Sequence, residues 1–348
     1  MENNSLEKRQ AQAQYNHKRF PTVFQGILAP ALMQFVGSAL VVIALLITEA
    51  FFSFKTEFGE YLSNVVVSQF LQILILPLAF VLICKKDGLS TFRLNKGIDP
   101  IQILLLVVVS LGLFFIAQYV NSVFVAFLSS FLGTPSSITD SPEAQNIWQL
   151  LYSIVIVAGL PAICEEIMFR GFVLRAFERK SALAAVMISS VAFSIMHGNF
   201  QQIVYAFLLG LIMGLFVILT DSLAASITIH FVLNALSCVL MYPPIFAVYE
   251  TLVMEYTFIY LALMALLALL GVAAAIFLIK YTKKKNKRKF GCETVSDMCC
   301  TDLMPKPKPW EKVLSTLAWI SFIGVNLLSM IELWFYDDIM KFLEQLQI

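Results

Sequence analysis

The chain has 348 residues and a formal net charge of +1, and 59% of its residues are hydrophobic while only 14% are charged. Soluble domains have roughly 45–50% apolar and about 25% charged residues, so this composition excludes an ordinary soluble domain and indicates a polytopic membrane protein. The small net charge does not indicate a nucleic-acid partner, and we expect the lipid bilayer to be the main environment of the chain.

Long apolar segments predict the fold class. A helix needs about 20 apolar residues to cross the hydrocarbon core, and the segments lack the alternation that is typical of barrel strands. We therefore predict an all-α, polytopic transmembrane bundle of about nine spans, near residues 27–52, 62–84, 101–132, 147–169, 182–199, 203–220, 223–242, 252–279 and 313–335.

The spans and the polar stretches between them divide the chain. The N-terminal tail has no early apolar core and is not expected to be a signal peptide. The linker holds a basic run and Cys292, Cys299 and Cys300, whose spacing fits no standard zinc pattern. The predicted segments are a polar tail (1–26), N-terminal helices (27–146), a central group of helices (147–242), an additional helix (243–279), a linker (280–312) and a final helix with its tail (313–348).

Basic residues predict the orientation. Lys and Arg are concentrated in the N-terminal tail and in the stretches 85–96, 170–180 and 280–289, whereas "GTPSSITDSPEAQN" at 133–146 contains none. Cytoplasmic loops carry the excess of Lys and Arg. We therefore expect a cytoplasmic N-terminus and an external C-terminus.

The stretch "LPAICEEIMFRGF" places three charged residues inside an apolar segment. Glu166 and Arg170 are four residues apart, which is the favoured arrangement for an ion pair on one helix face. Glu165 points about 100° away and is expected to face another helix. Pro161, just upstream, should kink or restart the helix. Because an acid at membrane depth is a functional-site hypothesis by default, Glu165 is the first candidate.

Two further polar positions follow in successive apolar spans. "FSIMHG" holds Phe193 and His197, and "TIHFVLNAL" holds His230 and Asn234, each pair separated by one helical turn. Alone, a histidine such as His197 on an apolar helix is more often a buried core residue, and His230 with Asn234 is explained equally well by hydrogen bonds between helices. However, the chain has only three histidines, and two of them fall directly after the glutamate pair. This concentration predicts one polar pocket within the membrane.

The residues of this pocket suit hydrolysis by activated water. A carboxylate in a site of low dielectric is a better general base, and Glu165 could take a proton from water that His197 holds. His230 and Asn234 could donate hydrogen bonds to a developing oxyanion. A zinc site of Glu165, His197 and His230 is an alternative, because two His and one Glu form a known catalytic set. We favour a site without a cofactor.

The three motifs resemble those of a known family. "EEIMFR" (165–170), "FSIMH" (193–197) and "HFVLN" (230–234) match, in order and type, the E-E-x-x-x-R, F-x-x-x-H and H-x-x-x-N motifs of the CAAX-protease and bacteriocin-processing (CPBP or Abi) family of intramembrane endopeptidases, which includes the Ras-converting-enzyme type of prenyl protease. The resemblance covers roughly 147–242.

The resemblance implies an activity and a role for each residue. Glu165 and His197 would activate the water, His230 and Asn234 would form the oxyanion hole, and Glu166 and Arg170, with Phe193, would support the site. Members of the family have been described as glutamate-dependent and as metalloproteases. We expect a membrane-associated or lipidated peptide as substrate and a location in a bacterial plasma membrane. The rival class is a membrane protein that is not an enzyme, either a peptide-binding immunity factor or a transporter, although a transporter's paired broken helices are not seen.

Overall fold

The computed structural model describes residues 20–51, 56–135, 142–178, 181–290 and 308–345, and most of the predicted N-terminal tail and the Cys292, Cys299 and Cys300 stretch lie outside these residues. The described residues form helices and connections without a strand, which confirms the all-α class. Among the described residues, eight helices are long and apolar enough to cross a membrane, so the chain is an integral, multi-pass membrane protein.

We number the helices in chain order, leaving out a one-turn helix at Gly88–Thr91. They are α1 (Val23–Thr48), α2 (Glu57–Ile83), α3 (Pro100–Leu132), α4 (Ile147–Phe177), α5 (Ala182–Met196), α6 (Phe200–Thr220), α7 (Leu223–Leu240), α8 (Pro243–Met254), α9 (Thr257–Phe290), α10 (Pro309–Trp334) and α11 (Tyr336–Gln345).

Two predicted spans differ from the observed helices. The span expected at 182–199 is α5, which has only 15 residues and is therefore about 22 Å long. The span expected at 252–279 is replaced by α8 and α9, since the chain breaks between Met254 and Thr257. The eight long helices agree with the expected number of about nine spans, and α5 is too short to be counted among them.

Helix α9 extends further than the sequence predicted. The basic run at 280–289 was expected to belong to a linker, but α9 continues through it to Phe290. Lys and Arg are good helix formers, and this end of α9 packs against the bundle. Gln102 donates to Thr282 over 2.9 Å, and Asn286 donates to a backbone carbonyl of α6 over 2.9 Å. These contacts hold the basic turns of α9 beside α3 and α6.

Helix α4 changes its hydrogen-bonding pattern around the predicted site. The segments Ile154–Gly159 and Ile167–Val173 are π-helical and flank the α-helical segment Leu160–Glu166. Pro161 has no N–H to donate, and the π-helical segment ends just before it. The proline therefore coincides with a change of pattern within a continuous helix. Both predicted carboxylates lie between the two π-helical segments, a feature that is frequent at functional sites.

A network of buried ion pairs joins three connections at the end of the bundle where the basic loops lie. The Arg93 side chain is 1% exposed and donates to Asp221 over 2.9 Å and to Glu178 over 2.5 Å. Arg175 contacts Glu178 over 3.0 Å, and Lys96 pairs with Asp221. In the sequence, these basic residues indicated only the orientation of the chain. We call the five residues the basic-end network.

The network predicts an acid-sensitive contribution to stability. Burial by itself raises the pKa of Asp221, but Arg93 and the hydrogen bond from Lys96 outweigh it, so the pKa lies below its ordinary value of 3.8. A lowered pKa in the folded state stabilises the fold above the ordinary value, and this stabilisation is lost as the pH falls through the folded pKa. Asp221→Asn should destabilise the protein at neutral pH by about 3 kcal/mol.

The measurement is the melting temperature in detergent as a function of pH. The difference between wild type and Asp221→Asn should narrow below about pH 4. Asp99→Asn is the matched control, because Asn retains the helix cap and the pair of Asp99 with Lys285 is partly exposed. A difference between wild type and Asp221→Asn that stays constant on acidification would contradict the assignment.

Candidate active site

A buried carboxylate, Glu166, lies at the centre of the candidate site. One oxygen, Oε1, accepts a hydrogen bond from Arg170 Nη1 over 2.7 Å and another from His230 Nδ1 over 2.9 Å. The side chains of Glu166 and Arg170 are 0% exposed, so Arg170 does not extend to the membrane surface. The predicted ion pair is therefore confirmed, and it joins α4 to α7 through His230.

The neighbouring carboxylate, Glu165, faces other helices, as predicted. Its Oε1 accepts a hydrogen bond from Gln69 Nε2 of α2 over 2.9 Å, and both residues are buried. Its Oε2 lies 3.8 Å from His230 Nε2, which is longer than a hydrogen bond. Glu165 is therefore held by a neutral amide on one oxygen, while the other oxygen faces an imidazole.

Gln69 was not predicted from the sequence. It lies in the apolar run "VVVSQFLQILIL", which contains two glutamines, and nothing in the run distinguishes Gln69 from Gln72. Its bond to Glu165 connects residues that are 96 positions apart. Only the packing of α2 against α4 brings the two together.

The ring of Phe193 packs against three of the predicted polar residues. The Arg170 guanidinium lies over it, 4.2 Å from its centroid, in a cation–π arrangement. The rings of His197 and His230 meet it edge to face, with centroids at 4.9 Å and 5.7 Å. Phe193 thus positions α5 against α4 and α7 and lies next to both histidines.

His197 has a defined hydrogen-bonding role. Its Nδ1 lies 2.8 Å from the backbone carbonyl oxygen of Phe193. A carbonyl oxygen only accepts, so we assign the proton of the neutral ring to Nδ1. Nε2 then carries the lone pair, and it can accept a hydrogen bond from water.

Within the protein, His230 and Asn234 contact different surroundings. His230 Nδ1 donates to Glu166 instead. Asn234, one turn further along α7, lines a cavity of about 310 Å³. The i, i+4 spacing places both residues on one face of α7. They lie one turn apart along the helix, so His230 contacts the Glu166–Arg170 ion pair and Asn234 lines the cavity.

We call this cavity the vestibule. It opens among the ends of α2, α4 and α7 that lie away from the basic-end network, and a second cavity of about 680 Å³ adjoins it at Ser237 and Met241. The larger cavity has none of the predicted site residues in its wall. Among the residues that line the vestibule are Tyr61, Glu143, Val157, Gln202, Asn234 and Tyr242.

The zinc alternative would need Glu165, His197 and His230 as ligands of one ion. Within the described ranges, no three His, Cys, Asp or Glu side chains are grouped as ligands of one metal ion. Glu165 and His230 are close, with Oε2 and Nε2 3.8 Å apart.

The turn that carries His197 is packed against α10. Gly198 has a φ of +59°, and a Cβ added there would lie 3.3 Å from Ser329 Oγ. Next to it, the rings of Phe200 and Trp334 meet edge to face with centroids 6.1 Å apart. The final long helix, which the sequence analysis placed outside the central group, therefore supports the end of α5.

The geometry defines a class: a multi-pass membrane protein with a carboxylate and imidazole cluster buried among its helices. Residues 147–236 match the family described as "Type II CAAX prenyl endopeptidase Rce1-like", about a quarter of the chain. The match confirms the predicted resemblance to the CAAX-protease family and, at the level of the family, supports an intramembrane protease. No curated protein and no solved structure matches the chain significantly.

The buried ion pair leads to a stability prediction. Arg170→Met leaves Glu166 charged and buried with His230 as its remaining partner, and we expect a loss of about 3–5 kcal/mol. The double variant Glu166→Gln/Arg170→Met should recover much of this loss, since a neutral amide needs no counterion. Melting temperatures in detergent measure both effects.

Arg175→Met is the control for that experiment. Arg175 lies in the same helix and pairs with Glu178, but Glu178 keeps Arg93 as a partner. Arg175→Met should therefore lower the stability less than Arg170→Met does. Equal destabilisation of the single and the double variant would mean that packing of the Arg170 side chain matters more than its charge.

Proposed function

We propose that the protein is an intramembrane endopeptidase that hydrolyses a peptide bond of a membrane-associated or lipidated peptide or protein. The observation that carries the proposal is the approach of Glu165 Oε2 to His230 Nε2 at 3.8 Å in a buried site. A water molecule beside these two atoms would have a proton acceptor and a polar neighbour. The match of residues 147–236 to a protease family supports the same chemistry.

Glu165 is proposed as the general base. The hydrogen bond from Gln69 fixes Oε1, so Oε2 is the oxygen that faces the reacting groups. It takes one proton from water while the water oxygen attacks the peptide carbonyl carbon, and the Nε2 lone pair of His197 orients that water. When the tetrahedral intermediate collapses, the C–N bond breaks, and Glu165 returns its proton to the leaving nitrogen.

His230 and Asn234 are proposed to stabilise the oxyanion. His230 Nδ1 already donates to Glu166, so Nε2 can donate only if the ring is an imidazolium. The oxyanion role therefore requires the charged ring, with Glu166 as its counterion. Asn234 adds its amide from the vestibule side. Donors aimed at developing charge are usually a large contribution to such catalysis.

Glu166, Arg170 and Phe193 are proposed as positioning residues. Glu166 holds the ring of His230 through Nδ1, and Arg170 holds Glu166. Phe193 fills the space between the two imidazoles. We further propose, from the distribution of Lys and Arg, that the N-terminus is cytoplasmic in a bacterial plasma membrane.

Replacing the proposed base tests the function. Glu165→Gln retains the size of the side chain and can still accept from Gln69, but it cannot take up the proton. Turnover should fall by on the order of 100-fold or more. The assay compares cleavage of a panel of quenched fluorescent membrane peptides, with and without a prenyl group, in lipid nanodiscs.

Glu255→Gln, at an exposed position in the turn between α8 and α9, is the matched control and should keep wild-type turnover. Peptide binding is measured for each variant as well. Near-normal cleavage by Glu165→Gln would refute the mechanism. Binding of a peptide by the wild type without any cleavage would favour the peptide-binding immunity factor.

Metal dependence is tested separately. We propose a site of the glutamic type, so a strong chelator should leave turnover almost unchanged. Purified active protein should then contain far less than one zinc per chain by elemental analysis. Chelator-sensitive turnover that added zinc restores would instead support the metalloprotease alternative.

A further inference from the structure

The basic residues at the end of α9 are not spread evenly around the helix. Lys280, Lys284, Lys287 and Arg288 are exposed, and a spacing of i, i+4, i+7 and i+8 places residues on one face of a helix. We call these four residues the basic stripe. Because α9 continues to Phe290, the stripe is a row of charges on a regular helix.

The opposite face of α9 is packed against the bundle. The residues buried along this face are Gly271, Ala274, Leu278, Thr282 and Asn286. A Cβ added at Gly112 of α3 would lie 2.8 Å from the Cα of Gly271, so the two helices are in close contact. Hydrogen bonds of Thr282 with α3 and of Asn286 with α6 then fix the rotation of the helix. Lys284, two residues after Thr282, is turned about 200° away from it, so the basic stripe faces away from the protein.

Carboxylates do not neutralise the basic stripe within the part of the chain that the structure describes. Helix α9 contains no Asp or Glu, and no ion pair joins a stripe residue to another described residue. Lys285, on the flank of the helix, differs from the stripe because its Nζ lies 2.7 Å from an oxygen of Asp99. The four charges of the stripe are therefore available to an anion outside the protein.

The position of the stripe along α9 matches the headgroup layer of a membrane. The apolar part of α9, residues 257–279, is about 34 Å long, and the hydrocarbon core is about 30 Å thick. Lys280 therefore follows directly after the core, and Arg288 lies about 12 Å further along the axis. Tyr281, whose hydroxyl donates to Asp99 over 3.2 Å, lies at the depth where aromatic residues with a polar end are enriched. The long side chains of the stripe can extend to the phosphate groups from these positions.

We propose that the basic stripe binds the phosphate groups of anionic phospholipids in the leaflet at the basic end of the bundle. Clusters of Lys and Arg directly after a transmembrane helix attract anionic headgroups, and successive stripe residues one turn apart are close enough to contact the same headgroup. Orientation of the chain needs only basic residues near the end of a span, at any position around the helix. It does not require one face, or a helix that continues through the charges. The contact is with the membrane and is independent of the proposed protease activity.

Paired substitutions on two faces of the same turns test the site. Lys284→Gln/Lys287→Gln removes two charges of the basic stripe. Lys283→Gln/Lys285→Gln is the matched control, because it removes the same charge from the same turns but not from the stripe. Each purified protein, in a neutral detergent, is titrated with phosphatidylglycerol or with phosphatidylcholine, and the bound lipid is counted by native mass spectrometry. Melting temperatures confirm that each variant is folded.

The wild type should bind phosphatidylglycerol more tightly than phosphatidylcholine by on the order of 10-fold or more. The stripe variant should lose most of this preference, while its affinity for phosphatidylcholine stays unchanged. The control variant should keep its affinity for phosphatidylglycerol to within about threefold. Binding of phosphatidylglycerol to the wild type should also weaken as the salt concentration rises, because salt screens exposed charges.

Several outcomes would overturn the proposal. Equal losses in the two variants would mean that the total charge of the helix end attracts the lipid, and binding that neither variant changes would place the lipid elsewhere. Equal affinity of the wild type for the two lipids would exclude an anionic headgroup as the ligand. Glycerol phosphate, added as a competitor at the same concentration, separates a lipid from a soluble phosphate. It should not displace phosphatidylglycerol, and displacement would instead assign the stripe to a soluble phosphate compound.

Discussion

A carboxylate with no exposed surface must be neutralised where it lies, and much of the site follows from how Glu166 is neutralised. Arg170 supplies the charge from the next turn of α4, and His230 donates to the same oxygen from α7. This shared oxygen fixes the distance between the two helices and the rotation of the imidazole. As a result, His230 Nε2 is directed towards Glu165. The Phe193 ring lies under the Arg170 guanidinium and packs α5 against the same site.

Two adjacent glutamates thus have opposite environments. Successive residues of a helix point about 100° apart, so Glu166 meets cations while Glu165 meets the neutral amide of Gln69. A carboxylate fully paired with a guanidinium is a poor base, because the pairing stabilises its charged form. The sequence pair E-E therefore provides one carboxylate that is paired with a guanidinium and one that is held by an amide and faces an imidazole.

Residue spacing within single helices predicted the contacts inside those helices, whereas the contacts between helices depend on long-range packing. The Glu166–Arg170 pair followed from a spacing of four residues, and the helix class followed from the apolar runs. Gln69 and Glu165 are 96 positions apart and Arg93 and Asp221 are 128 apart, so no pattern within one helix indicates either contact. The same limit applies to His230 and Asn234: periodicity gives the face of α7 that they share but not the group of another helix that each one meets. The extension of α9 depends on contacts with α3 and α6, which composition cannot show.

The packing of α10 against Gly198 means that the boundary of family similarity is not a boundary of the structural unit. The matched segment ends at residue 236, yet Ser329 and Trp334 lie against the turn that holds His197. A chain cut at the end of the matched segment would keep every motif and lose the helix that packs behind His197. Exchange of the C-terminal helix between relatives would accordingly alter the candidate site itself, so the boundaries of a transferable unit should follow contacts rather than motifs.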